Sequence, residues 1–320
     1  MGWQDVRSSL SGAMIDKGLS GLSKLALLHP RARPSRYGVE VIRERAFTNG
    51  LTLDVYRPAG ADGSAIPVLY LHGGGFRILS KDTHWAMALM FAGSSARPGE
   101  AGPRYVVFNA NYRLAPKHPF PAGCEDASAA LLWVLAHAHE YGADASKVVL
   151  AGESAGGNLV TGLAIAASWR RPEPYARAVF EAAPQIRALL PACGMLQVSD
   201  PPHRGTPDGF VLDRMKAIAS AYLPNGPQHD GTTDLADVVS FLEHAPEPDR
   251  PLPPVFAVCG GKDPVRLDTE RLVPAWQRLG GKVDARYYGD GIHTFHAFVW
   301  HPLAQAAWRD QHTFLRGVFA

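Results

Sequence analysis

The chain has 320 residues, 46% of them hydrophobic and 19% charged, with a formal charge of +2. That composition suits a globular protein with one large core or two domains, and the near-balanced charge gives no reason to expect a nucleic-acid partner. Cys124, Cys193 and Cys259 are widely spaced and odd in number. They match neither a disulfide framework nor a metal pattern, and they are expected to fill buried space in a reducing compartment. Residues Met1 to Ser11 are mostly polar, with Asp5 and Arg7, so no signal peptide is expected there. No apolar run is long enough to span a bilayer, so stable membrane insertion is not expected and a cytoplasmic location is.

In chain order, residues 1–36 carry Met14, Ile15, Leu19, Leu22, Leu25 and Leu28 at roughly helical spacing. Val39–Ala46 and Leu51–Tyr56 alternate apolar with polar residues around Asn49-Gly50, which is a hairpin signal. Buried strands are expected at Ile66–Leu71 and Tyr105–Phe108, with a helix over 82–96 between them. A helix over Glu125–His139 has its apolar stripe in Leu131, Leu132, Val134 and Leu135. Lys147–Ala151 reads as a strand, followed by a helix from Ala155. A short helix is expected somewhere in 172–186. Later strands are expected at Leu189–Leu196, Val255–Cys259 and Val283–Tyr288, and a helix from Leu303 to Val318 closes the chain. Strands alternating with helices imply a mostly parallel, doubly wound sheet.

Two segments break the alternation. One is the N-terminal helical stretch. The other is residues 197–250, with Pro201, Pro202 and Pro207, a helical pattern from Val211 to Tyr222, and then a polar loop. An insertion of that length between core strands reads as a lid. The expected organisation is therefore a core of residues 38–196 and 251–320 under a cap made of residues 1–37 and 197–250.

Gly152-Glu153-Ser154-Ala155-Gly156 fits G-x-S-x-G, a serine on a tight strand-to-helix turn whose strained backbone needs small residues two before and two after it. Serine is a poor nucleophile until a base takes its proton and a carboxylate holds that base in one tautomer. Asp263 follows an apolar strand in Gly260-Gly261-Lys262-Asp263-Pro264, and His293 follows the last strand in Gly289-Asp290-Gly291-Ile292-His293. These are the expected acid and base. Asp268 should point away in the next helix, Asp290 is only a neighbour, and His296 should be structural. Upstream, Tyr70-Leu71-His72-Gly73-Gly74-Gly75-Phe76 supplies a glycine loop. The N–H groups of Gly73 and Gly74, with that of Ala155, are expected to hold the negative oxygen of a tetrahedral intermediate, while His72 and Gly75 shape the loop. No Lys-Ser/Thr pair follows, which argues against a phosphate cradle. No zinc spacing occurs among the histidines, and His137 and His139 face different sides of a helix.

Taken together, these strings resemble the hormone-sensitive-lipase family of esterases, the bacterial family IV carboxylesterases. Asn111-Tyr112-Arg113-Leu114-Ala115-Pro116, continuing Lys117-His118-Pro119-Phe120-Pro121-Ala122, is similar to that family's signature after the fourth strand. Asp263-Pro264-Val265 is similar to its Asp-Pro-Leu, and Gly291-Ile292-His293 to its histidine loop. The resemblance runs from about residue 38 to the C-terminus. It implies an α/β-hydrolase fold, with a mostly parallel eight-stranded sheet flanked by helices and a helical cap. It also implies hydrolysis of carboxylic esters, with no cofactor. The reading drawn from all of these residues is a serine hydrolase for small uncharged esters of short to medium chain, with no metal. A homodimer through the last strand and final helix is implied by the resemblance alone. Glu153 replaces the common Asp, Thr294 the glycine after the histidine, and residues 197–206 lack the usual motif. Glu153 also occurs in the elbow of type-B carboxylesterases, which are longer and usually use Glu as the triad acid. Arg113 and Asp126 are expected to make structural contacts. Two alternatives stay open: an amidase or deacetylase on the same triad, and a catalytically silent small-molecule receptor.

Overall fold

The structure is a computed structural model of the chain. It describes residues 33–48, 50–94, 102–200, 209–228 and 230–320, together with Gly18 and Gly21. Most of the N-terminal helical stretch, and residues 201–208 of the segment after the sixth strand, lie outside the described residues.

Eight strands form one sheet: β1 (Val39–Thr48), β2 (Leu51–Pro58), β3 (Ile66–Leu71), β4 (Tyr105–Ala110), β5 (Val148–Glu153), β6 (Ile186–Ala192), β7 (Val255–Gly260) and β8 (Val283–Tyr288). Their order is β1-β2-β4-β3-β5-β6-β7-β8. The β1–β2 hairpin joins the sheet antiparallel, through β2 on β4, and every later pair is parallel. The sequence explains the difference. β1 alternates and is half exposed, whereas β3, β4, β5 and β7 are buried along their whole length and read as nearly unbroken apolar runs.

The strands' two-residue period sends alternate side chains to two cores. Leu69, Leu71 and Leu150 face one core, with α2 (Ala122–His137), α3 (Ala155–Ser168), α4 (Pro174–Ala182) and α7 (Arg266–Arg278). Val68, Tyr70, Val149 and Ala151 face the other, with α1 (Trp85–Ser94) and α8 (Pro302–Val318). With both faces covered, the site can form only at the rim, and the carboxyl ends of β3, β5, β7 and β8 share one. The loop after β3 is pinned at its far end by buried Lys81, whose Nζ lies 2.9 Å from the buried Asp54 carboxylate of β2.

Three details differ from the sequence reading. The sixth strand ends at Ala192 rather than Leu196, because Cys193 turns the chain at φ 48°. The N–H groups of Leu196 and Gln197 then donate to Asp268 on α7 instead of to a neighbouring strand. The polar stretch after Tyr222, where α5 (Phe210–Tyr222) ends, contains a further helix, α6 (Val238–His244). Leu235, Ala236, Val239 and Leu242 around it are fully or nearly fully buried in the first core. A seven-residue helix spans only two turns, too few for its period to stand out against the polar residues that precede it.

Candidate active site

Ser154 sits between β5 and α3 at φ 52° and ψ −113°, a backbone conformation that costs on the order of 1–3 kcal/mol for a residue with a side chain. The elbow is built by close approach. A Cβ on Gly156 would fall 2.6 Å from the His72 carbonyl oxygen and closer still to that of Leu71, and one on Gly152 would fall within 2.5 Å of Gly156. The turn is tied down by Ser154 N–H donating to Ala192 O (2.9 Å) and by Ser154 O accepting from Asn158 and Met195 N–H (3.1 Å each).

Asp263 lies in the turn after β7, its side chain fully buried, with Oδ1 accepting the Val265 N–H at 2.9 Å. His293 Nδ1 is 2.9 and 3.0 Å from the two Asp263 oxygens, and its Nε2 is 3.0 Å from Ser154 Oγ. Donation from Nδ1 to the carboxylate leaves the Nε2 lone pair facing the serine hydroxyl. Burial alone would lower the basicity of His293. The Asp263 carboxylate, by charge and hydrogen bond, outweighs it with help from Glu153, and the imidazole pKa is raised above its ordinary value. The structure therefore brings together the three side chains expected from residues 154, 263 and 293.

The rivals are elsewhere. Asp268 is buried in α7 on the Leu196 and Gln197 amides. Asp290 is exposed and pairs with Lys262 at 2.7 Å. His296 is buried in a short turn (Phe295–Ala297), its Nε2 3.3 Å from Glu153 Oε2. Arg113 holds Asp126 through Nε at 2.8 Å and its backbone N–H at 2.8 Å, the structural contact expected.

Gly73 departs from the expectation. Its N–H donates to His84 Nε2 at 3.1 Å and is therefore committed to that ring rather than to a substrate oxygen. Among the described residues the N–H groups of Gly74, Gly75 and Ala155 meet no backbone acceptor. Gly74 and Gly75 adopt φ 116° and 58°, values open to glycine. His72 shapes the loop as expected, with Nδ1 2.7 Å from Gly73 O, Tyr112 Oη donating to its carbonyl at 3.0 Å, and its ring stacked on Tyr112 at 4.3 Å. Burial pushes its imidazole down to about 3, so it is neutral.

Two contributors were missed by the sequence reading. His84, also buried, stands 3.3 Å from Glu153 Oε1, across 69 residues of sequence. No local signal marks this contact, because loops after different strands supply the partners. The Cys193 thiol is buried and pushed up by that burial, hence neutral. Cys193, Asp263 and His293 bring three potential metal-ligand atoms within 4.8 Å, but both ring nitrogens of His293 are already engaged, Nδ1 with Asp263 and Nε2 with Ser154.

A family profile described as the alpha/beta hydrolase fold matches residues 68–297. The chain belongs to that family. Carboxylesterase NlhH of Mycobacterium tuberculosis is 34% identical over 228 residues, covering 69% of this alpha/beta hydrolase and 64% of NlhH. Esterase LipI of the same organism is 33% identical over 250 residues, covering 74% and 68%. The chain thus spans just under two thirds of NlhH. Hormone-sensitive lipase of Mus musculus is 32% identical over 121 residues, or 38% of this chain and 15% of the lipase, in keeping with the resemblance read from the motifs. Among solved structures, esterase LipW from Mycobacterium marinum superposes with a TM-score of 0.77 over 97% of this chain and 90% of its own, at 22% identity, a likeness of fold.

Proposed function

We propose that the protein is a serine carboxylesterase acting on uncharged carboxylic esters of short to medium chain. The observation that carries this reading is the unbroken hydrogen-bond chain from Ser154 Oγ through His293 to Asp263. Ser154 attacks the ester carbonyl while His293 Nε2 takes its proton. His293 returns that proton to the leaving alcohol, and Asp263 steadies the imidazolium between the two transfers. Water then attacks the acyl-enzyme in the same way, with His293 again as base. The oxyanion is held by Gly74 and Ala155 N–H, with Gly75 as the third donor in place of Gly73. Each fixed donor contributes roughly 3–4 kcal/mol to the barrier reduction. The scheme uses no cofactor and no metal, and its partner is the small ester itself. We further propose a cap made of residues 1–37 and 197–250, a cytoplasmic location, and a homodimer through β8 and α8. In support of the cap, Ile218 of α5 lies directly over Gly75.

The test is turnover of a nitrophenyl ester series by the wild-type chain and by Ser154→Ala. Wild type should turn over the short acyl chains and the variant should lose activity with its fold intact. Activity retained by Ser154→Ala would overturn the assignment. Faster cleavage of a matched amide than of the ester would move the reaction to the amidase class.

A further inference from the structure

We infer that His84 is a positioning residue for the anion-binding loop, locked in one tautomer by Thr83 so that it can hold the Gly73 amide. The kinetic part of this inference rests on the carboxylesterase reading above. The tautomer part does not.

The starting point is one atom with two claimants. His84 Nε2 lies 3.1 Å from the Gly73 nitrogen and 3.3 Å from Glu153 Oε1. A ring nitrogen carries either a lone pair or a hydrogen. With the lone pair it accepts the Gly73 N–H. With the hydrogen it donates to the Glu153 carboxylate, a charge-assisted bond that would ordinarily be the stronger of the two. The two states exclude each other, and only the first anchors the glycine loop.

The opposite edge of the ring decides between them. Thr83 Oγ1 donates its proton to Ser80 O at 2.7 Å, so it meets His84 Nδ1, 2.9 Å away, as an acceptor. Ser80 O itself is 3.3 Å from the same nitrogen. Two acceptors therefore face Nδ1, so a proton belongs there, and the Gly73 N–H directed at Nε2 excludes a second proton on that nitrogen. The groups packed around this ring are Glu153 at the end of β5, Tyr70 and His72 at the end of β3, and His296 beyond Glu153.

The effect on the site is geometric. Gly73 is held between His84 on one side and Glu153 on the other, where a Cβ would fall 2.8 Å from Glu153 Oε1. The Gly73 N–H on His84 fixes the His72–Gly73 peptide plane, and His72 Nδ1 on the Gly73 carbonyl fixes the next one, so the Gly74 N–H is aimed by two successive anchored planes. Preorganised donors matter in the transition state more than in the bound substrate, so loosening this anchor should lower kcat and leave KM nearly unchanged.

The experiment combines a spectroscopic arm and a kinetic arm on the full chain. Histidine-15N NMR, with His84 assigned by its disappearance in His84→Gln, should show the proton on Nδ1. A proton on Nε2 of the wild type would overturn the inference. In kinetics on a nitrophenyl ester, His84→Phe removes the acceptor and should lower kcat about tenfold or more, with KM within about threefold. His84→Gln, which can offer its carbonyl oxygen to Gly73, should restore most of the loss. A His84→Phe chain with kcat within about twofold of wild type, or a Gln variant as impaired as Phe, would refute it. Should His84→Phe fail to fold, Thr83→Val against Thr83→Ser decides. Valine removes the nearer of the two Nδ1 acceptors and leaves Ser80 O, so it should raise the share of rings protonated on Nε2 and lower kcat while serine does neither, whereas two equal variants would refute the lock. Labelling of wild-type Ser154 by a fluorophosphonate separates the outcomes, since an unlabelled wild type would fault the hydrolase reading instead.

Discussion

Gly156 packs its Cα against the carbonyl of Leu71, so the helix after Ser154 starts in contact with the end of β3. Nothing larger than hydrogen fits there, and the obstacles are backbone atoms that side-chain rotation cannot move. Gly156→Ala should cost at least about 2 kcal/mol, with β3 and the elbow pushed apart. Urea unfolding of the variant checks the value, and an unchanged midpoint would contradict the packing described.

The strain at Ser154 makes a second prediction. Alanine keeps a Cβ at φ 52°, whereas glycine removes the clash and adds back some chain entropy in the unfolded state. Ser154→Gly should be more stable than Ser154→Ala by about 1 kcal/mol, with both inactive. Thermal melts of the two variants side by side measure the difference.

Asp263→Asn tests the dyad. The amide preserves size but removes the charge that overcomes burial and raises the His293 pKa. Activity needs neutral His293, so it falls as pH drops through that raised value. Without the carboxylate the value falls, and the acid limb of kcat/KM should move to lower pH. The plateau should drop by about 10³–10⁴, because Asn no longer enforces the Nδ1–H tautomer. A pH–rate profile reports both effects.

Asp268 is the nearby carboxylate with a different task. Asp268→Ala leaves the buried amides of Leu196 and Gln197 without their acceptor and should cost about 2–4 kcal/mol. Fluorophosphonate labelling of Ser154 in the folded variant should persist. Labelling lost while the fold remains would make Asp268 part of the chemistry.

What the sequence revealed and what it hid have separate physical origins. The buried strands were legible because each is a short apolar run bounded by turn residues. The elbow was legible because Gly152 and Gly156 answer a purely local steric demand. Asp263 and His293 could be found because each directly follows such a strand. Helix α6 was hidden by its two-turn length. The end of β6 was hidden because the left-handed turn falls on Cys193 itself, a residue with a side chain, inside an otherwise apolar run, although Pro191 and Gly194 flank it. The partner of Gly73, His84, was hidden because a histidine eleven residues on in the same loop carries no motif that marks it as an acceptor, and the Glu153 contact beside it spans 69 residues of sequence.

The shared rim of the parallel strands separates two tasks that many enzymes entangle. Nucleophile and acid hang from the ends of β5 and β7, strands buried along their whole length, and the base from the loop after the edge strand β8, while the segment between β6 and β7 leaves the sheet and returns to it without supplying any of the three. Exchange or shortening of residues 200–234 should therefore retune which molecules enter while the reacting groups stay where they are. Laboratory evolution of selectivity has its natural target in that stretch of chain.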